Sequence, residues 1–125
     1  MKKTRNIIGL GTATDFFKRS RARAKKLDRG EKLQPEMRLM FENPNDLIRA
    51  VTTERIRVLL AVRRKPAAVS ELAIFLNRDR SAVKRDVKIL TSMGLLTFHE
   101  ETNPGHGRRK IVQPLAEKYE LVATI

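Results

Sequence analysis

The sequence predicts an α+β fold, mainly α-helical with a small β-hairpin, and three observations support this prediction. The chain has 125 residues, 41% of them hydrophobic and 33% charged, which is enough apolar material for the core of one ordinary domain. Between residues 44 and 93, apolar residues recur at helical spacing and are interrupted by helix start and stop signals. Residues 95–114 instead hold two short apolar runs around a turn rich in proline and glycine, the pattern of a β-hairpin.

The N-terminal part of the chain predicts a strand followed by a helix. Thr12 and Asp15 have the spacing of a capping box, in which each residue bonds the backbone of the other. Gly30 is a natural end for the helix because glycine adopts the left-handed conformation of a C-terminal cap. The predicted strand, helix, linker and second strand cover residues 5–11, 13–29, 31–36 and 37–43.

The middle of the chain predicts four helices. Asn43 followed by Pro44 is a favourable helix start, and Pro66 ends a later helix. Ser70 is the predicted N-cap of the third of these helices, and Asp79 or Ser81 that of the fourth. The helices cover residues 44–51, 52–65, 71–76 and about 80–93. The second is expected to pack through Ile56, Leu59, Leu60 and Val62, and the shared core is expected to contain Leu59, Leu72, Leu76, Val83, Val87 and Leu90.

The fourth helix combines a narrow apolar stripe with a separate basic face. At about 100° per residue, Val83, Val87 and Leu90 fall on one stripe. Asp86 falls away from the basic face. On a lone helix such a face is usually only solvated. As the second helix of a helix-turn-helix, however, it would read base edges in the major groove. The candidate recognition residues are Arg80, Ser81, Lys84, Arg85 and Lys88.

The hairpin has a basic tip. Strands are predicted over residues 95–100 and 110–114, joined by a turn over residues 101–109. The tip is either a flexible polar turn or a DNA-contacting element that touches phosphates or the minor groove. In the second interpretation the contacting residues are His106, Arg108, Arg109 and Lys110.

The basic charge is concentrated near the N-terminus. Residues 1–36 contain 11 Lys and Arg and 4 Asp and Glu, a net of +7, whereas residues 37–125 contain 16 and 10, a net of +6. We therefore expect an N-terminal extension over residues 1–36 and a DNA-binding domain over residues 37–125. The extension is a solvated face, a second DNA-contacting surface, a dimer interface or a docking surface for an acidic partner. Its candidate contact residues are Phe16, Phe17, Lys18, Arg19, Arg21, Arg23, Lys25 and Lys26.

Composition and residue spacing favour a nucleic-acid-binding protein over an enzyme or a membrane protein. The formal net charge of +13 predicts attraction to polyanions. The sequence has no cysteine and no apolar run long enough to span a bilayer. His99 and His106, the two histidines, lack metal-ligand spacing, and no nucleophile–base pattern is visible. We therefore expect a cytoplasmic protein, associated with the nucleoid when bound to DNA. It is not expected to be an enzyme, to use a metal or cofactor, or to interact with a membrane.

The stretch "VSELAIFLNRDRSAVKRDVKILTSMGLL", residues 69–96, resembles the helix-turn-helix of MarR-like winged-helix regulators. More narrowly, "GLGTATDFF", "LMFENPNDLIRAVTTERIRVLLAV" and "VKRDVKIL" are similar to a group of small predicted prokaryotic regulators, some of which act as antitoxins. The resemblance implies a sequence-specific regulator of double-stranded DNA that represses its own operon. We expect it to bind as a homodimer, because one recognition helix reads few bases and paired half-sites multiply specificity. The alternatives are an antitoxin that neutralises a co-encoded toxin through its N-terminal segment, and a nonspecific nucleoid-type DNA binder. Residues 114–125 are too few for the long C-terminal helix of MarR-like dimers. Dimerisation is therefore expected to use the N-terminal extension or the terminal strand.

Overall fold

A computed structural model describes residues 5–33, 35–105 and 107–123. The chain divides into two compact units. Residues 51–115 form the first, which we call the central unit, and residues 1–50 and 116–125 contribute the second, which we call the terminal unit. In chain order the elements are β1 (Arg5–Leu10), α1 (Ala13–Asp28), β2 (Glu36–Phe41), α2 (Pro44–Ala50), α3 (Thr53–Arg64), α4 (Val69–Leu76), α5 (Arg80–Ser92), β3 (Leu96–Asn103), β4 (Gly107–Pro114) and β5 (Lys118–Val122).

The terminal unit is built on a parallel sheet with strand order β2-β1-β5. The central strand carries the buried residues Ile7 and Ile8. A Cβ atom at Gly9 would collide with the backbone carbonyl of Val122, so glycine is needed where β5 lies against β1. At the other end of this strand pair, Arg5 Nη2 donates to Glu120 Oε2 at 2.7 Å. This bond lowers the pKa of the Glu120 carboxyl.

Helix α1 begins with the predicted capping box. Thr12 Oγ1 accepts from the backbone N–H of Asp15, and the Asp15 carboxylate accepts from the backbone N–H of Thr12, both at 3.2 Å. The bond from the Thr12 backbone lowers the pKa of the Asp15 carboxyl. The helix ends at Asp28, and Gly30 adopts a φ of 76° just beyond it. None of residues 13–28, all of which are described, is buried.

The central unit packs α3, α4, α5 and the antiparallel β3–β4 hairpin around an apolar core. All six residues predicted for this core are buried, and Val58, Ala61 and Val62 join them. The prediction for Leu60 was wrong, because this side chain is 57% exposed and Val58 occupies the inner face of α3 instead.

The start of α4 differs from the prediction. The helix begins at Val69 after Ala68, so Ser70 lies inside its first turn and is not the N-cap. Ala68 has no side-chain acceptor, but its backbone N–H donates to the Glu71 carboxylate at 3.2 Å. This bond satisfies one of the amides that a helix start leaves unpaired. At the other end, Asn77 closes α4 in the left-handed conformation, with a φ of 52°, which asparagine tolerates better than most residues.

The bounds of the two hairpin strands also differ from the prediction. The hairpin strands reach residues 103 and 107, so most of the predicted turn is strand. The division between the two compact units falls near residue 50. Residues 36–41 pair with β1 as β2, and the chain returns as β5 to complete the same sheet. Residues 37–50 therefore group with the N-terminal segment.

Candidate nucleic-acid interface

Helix α5 turns its basic face outward. Its apolar stripe of Val83, Val87 and Leu90 is buried against the core of the central unit. The opposite arc is solvent-exposed over its length. The structure therefore places all five predicted recognition residues, Arg80, Ser81, Lys84, Arg85 and Lys88, on one exposed face of one helix.

An acidic residue lies at the beginning of this face. Asp79 is the N-cap of α5, but its side chain makes no capping bond to the backbone. Its carboxylate instead accepts a hydrogen bond from Ser81 Oγ at 2.6 Å. The Ser81 hydroxyl donates its hydrogen locally and keeps lone pairs with which it can accept a hydrogen bond.

A second acidic residue of α5 is removed from the basic face by burial. Asp86 is 5% exposed and pairs with Arg55 and Arg78. Sequence reasoning placed Asp86 away from the basic face but missed both arginine partners. The available signal was a lone carboxylate on the inner side of an amphipathic helix, which requires a buried counterion.

The hairpin carries its basic residues on β4. Arg109 lies opposite Glu101 of β3, and its Nη2 and Nε atoms donate to Glu101 Oε1 at 2.9 and 3.1 Å. Its Nη1 atom donates to Glu71 of α4 at 3.1 Å. The bond to Glu71 ties the hairpin to α4. The bonds to Glu101 join the two strands of the hairpin and are the main reason that the pKa of the Glu101 carboxyl lies below its ordinary range.

The neighbouring basic residues of β4 make fewer contacts with other side chains than Arg109 does. The Arg108 side chain is 71% exposed, and its Nη1 atom lies 3.6 Å from Glu100 Oε2. Lys110 Nζ lies 4.6 Å from the centre of the Phe98 ring, a cation–π arrangement. His106, the fourth residue predicted for this surface, lies outside the described residues.

The N-terminal candidates lie in the terminal unit, on α1. Phe16 and Phe17 are 54% and 60% exposed, and their rings meet edge to face at 5.7 Å. The half-buried side chains of the helix are those of Arg19 and Arg23, and Arg23 pairs with Glu36 at 3.2 Å. The remaining predicted residues, Lys18, Arg21, Lys25 and Lys26, are exposed.

Within residues 5–33, 35–105 and 107–123, no three His, Cys, Asp or Glu side chains are grouped so that they could hold a metal ion. No helix in the same ranges has the length and apolar character needed to cross a membrane.

Three helices followed by a two-stranded antiparallel hairpin define the central unit as a winged helix-turn-helix, as the sequence predicted. The chain belongs to the HVO_A0114 family, whose profile matches residues 50–117. The match covers the central unit almost residue for residue. No curated protein sequence matches the chain significantly.

Among solved structures, a protein of Methanosarcina mazei Go1 described as a possible transcriptional regulator aligns with a TM-score of 0.50 and 22% identity. The alignment covers 62% of this chain and 68% of that one, and at this identity it shows a likeness of fold. A homodimeric winged helix-turn-helix DNA-binding domain of Mycobacterium bovis, a possible ArsR-family regulator, aligns with a TM-score of 0.46, 20% identity and coverage of 55% and 60%. A MarR-like transcriptional regulator of Thermotoga maritima aligns with a TM-score of 0.40, 21% identity and coverage of 82% and 66%.

Proposed function

We propose that the protein is a sequence-specific regulator of transcription that binds double-stranded DNA through the central unit. The observation that carries the proposal is the exposed basic face of α5, on the second helix of the helix-turn-helix. In that motif the second helix enters the major groove, and its first turns contact base edges. Arg80, Lys84 and Arg85 lie in those turns, and arginine can bond guanine bidentately.

The wing supplies the second contact in this proposal. The Arg108 side chain is 71% exposed, against 42% for Arg109, and it suits a phosphate or the minor groove. Arg109 is already held by Glu101 and Glu71, so we assign it mainly to keeping the hairpin against α4.

We further propose that the protein acts as a homodimer that represses its own operon by occupying the promoter. One recognition helix reads few bases, and two half-sites about 34 Å apart would multiply the specificity. A sedimentation measurement together with the symmetry of the selected site tests this point. A monomer bound to a non-palindromic site would contradict it.

The experiment that tests DNA recognition begins with selection of bound sequences from a random double-stranded library by the wild-type protein. The affinity of variants for the selected site and for random DNA is then compared. Arg80→Ala and Arg85→Ala should each weaken binding to the selected site by about 1–3 kcal/mol and reduce discrimination. Arg49→Ala, which removes the same charge from an exposed position of α2, is the matched control and should preserve discrimination.

Two results would change the conclusion. Selection that enriches no sequence would favour a nonspecific nucleoid-type binder. Equal losses on the selected site and on random DNA would reduce Arg80 and Arg85 to phosphate contacts.

A second candidate function, neutralisation of a co-encoded toxin, has one observation in its favour. On α1 the side chains of Arg19 and Arg23 are half-buried, whereas Phe16 and Phe17 are more than half exposed. A pair of exposed phenylalanines flanked by cations fits a partner with an apolar groove and carboxylates at its rim.

Reciprocal variants separate this function from DNA binding. Phe16→Ala combined with Phe17→Ala should abolish protection of cells against the co-encoded protein while repression persists. Arg80→Ala combined with Arg85→Ala should have the opposite effect. If the phenylalanine variant protects as well as the wild type, α1 is not the docking surface.

A further inference from the structure

The central unit contains a buried ionic cluster on the side of α5 opposite its basic face. Asp86 is 5% exposed, and each of its carboxylate oxygens faces a different arginine. Arg78 Nη1 donates to Oδ2 at 2.8 Å, and Arg55 Nε donates to Oδ1 at 3.3 Å. The side chains of Arg55 and Arg78 are themselves only 17% and 15% exposed.

The cluster joins three parts of the helix-turn-helix. Arg55 lies in the first turn of α3, Arg78 in the connection between α4 and α5, and Asp86 in the middle of α5. Arg78 also pairs through Nε with Glu54 of α3 at 3.1 Å. Arg55 therefore bonds α3 to α5 directly. Arg78 links the same two helices by bonding both Asp86 and Glu54.

Such a cluster is a weak source of stability. Removing two or three charges from water costs about as much as their mutual attraction returns, and apolar residues of similar size often stabilise a fold equally well. Hydrogen bonds, however, fix direction, whereas the contacts of Val83, Val87 and Leu90 tolerate small rotations of the helix.

A small rotation of α5 matters because Asp86 directly follows Arg85 in the chain. A side-chain tip about 6 Å from the helix axis moves by about 2 Å when the helix rotates by about 20°. Hydrogen bonds to base edges tolerate only a few tenths of an ångström. The bonds that fix Asp86 therefore also fix the direction in which the exposed face points.

We propose that the cluster of Arg55, Asp86 and Arg78 positions the recognition helix and thereby determines base discrimination, while adding little to the stability of the fold. This inference rests on the proposed function. The three residues are positioning residues, since their side chains are buried and do not belong to the exposed face of α5.

The test replaces the cluster with apolar residues in one full-length variant, Arg55→Met with Arg78→Met and Asp86→Leu. We expect an unchanged or higher melting temperature, and a ratio of selected-site to random-DNA affinity reduced by about tenfold or more, the equivalent of about 1.4 kcal/mol. The variant loses one net positive charge. Arg63→Met, which makes the same change at an exposed position of α3, is the control and should keep the wild-type ratio.

A second variant covers the case in which the triple variant fails to fold. Arg78→Lys keeps the charge but loses the planar fork that bonds Asp86 and Glu54 together, and we expect it to fold and to lose part of the discrimination. If Arg78→Lys and a folded triple variant both discriminate as the wild type does, the inference is overturned. The inference is also overturned if the triple variant is unstable and Arg78→Lys retains full discrimination, because the cluster then serves only the stability of the fold. A wild-type protein that selects no sequence overturns the proposed function instead.

Discussion

One inward charged side chain in each unit, Asp86 in the central unit and Arg19 in the terminal unit, is paired differently. In the central unit, Asp86 is buried with two arginine partners, and the apolar residues around it form a closed core. In the terminal unit, α1 places Arg19 inward and its phenylalanines outward. The Nε and Nη2 atoms of Arg19 are enclosed and make no hydrogen bond within the described residues.

This difference in pairing has a cost in free energy. A buried polar group without a partner costs free energy, and an exposed aromatic pair forgoes the stabilisation that burial provides. Exposed apolar side chains occur in both units, including Ile74 and Phe75 of α4. The two units therefore differ in the pairing of Asp86 and Arg19, not in the exposure of aromatic rings.

The largest expected effect contrasts a leucine in each unit. Leu90→Ala should lower the free energy of unfolding by about 2–5 kcal/mol because it opens a cavity in the core. Leu27→Ala removes the same atoms from an exposed position of α1 and should change the free energy of unfolding by less than about 0.5 kcal/mol. Urea denaturation followed by circular dichroism measures both. Comparable losses would mean that α1 is packed as tightly as the core.

The next effect concerns the pairing of β1 with β5. Gly9→Ala should cost about 1–3 kcal/mol because the added methyl group collides with the Val122 carbonyl. Amide hydrogen exchange should show faster exchange in β1 and β5, with residues 51–115 protected as before. Loss of protection in both units together would show that they unfold as one.

A smaller effect should separate two adjacent arginines of the wing. Arg108→Ala should reduce the slope of log affinity against log salt by about 0.9, the value for one phosphate contact. Arg109→Ala should change the slope less, because its guanidinium is already paired with Glu101 and Glu71. Anisotropy titrations at several salt concentrations give both slopes. Equal changes would make Arg109 a phosphate contact as well.

The smallest effect is the pH dependence of one ion pair in each unit. The pKa of Glu101 is lowered chiefly by Arg109, and that of Glu120 chiefly by Arg5. A lowered pKa adds stability that is fully present above the ordinary glutamate value of about 4.3 and is lost as the pH falls through the folded-state pKa. Glu101→Gln and Glu120→Gln should therefore lose less stability than the wild type between about pH 6 and about pH 3. Thermal melts at both pH values provide the check. If a variant and the wild type lose the same stability between these pH values, the ion pair concerned does not contribute to the acid sensitivity of the fold.

Local signals in the sequence predicted the helices and the hairpin well. The capping box of Thr12 and Asp15 and the stripe of Val83, Val87 and Leu90 depend on residues within a few positions of each other, and both are present. The exposure of the predicted recognition residues follows from the same stripe, because burying one side of a helix exposes the other. Their contact with DNA stays a prediction.

Long-range features could not be predicted in the same way. The pairing of β1 with β5 joins residues such as Arg5 and Glu120, which are 115 positions apart, and a single sequence contains no local signal for it. The partners of Asp86 were missed because three helices must pack before Arg55 and Arg78 reach it. The inward position of Arg19 contradicts simple amphipathicity, which places arginine in water and phenylalanine inside.

The insertion of the central unit between the strands of the parallel sheet has a consequence for synthesis on the ribosome. A chain is made from its N-terminus, and domains fold as they emerge. Residues 51–115 are complete before β5 has been made, so the winged helix can fold while β1 still lacks one of its neighbours. A nascent chain would then complete its winged helix-turn-helix first and its parallel sheet last.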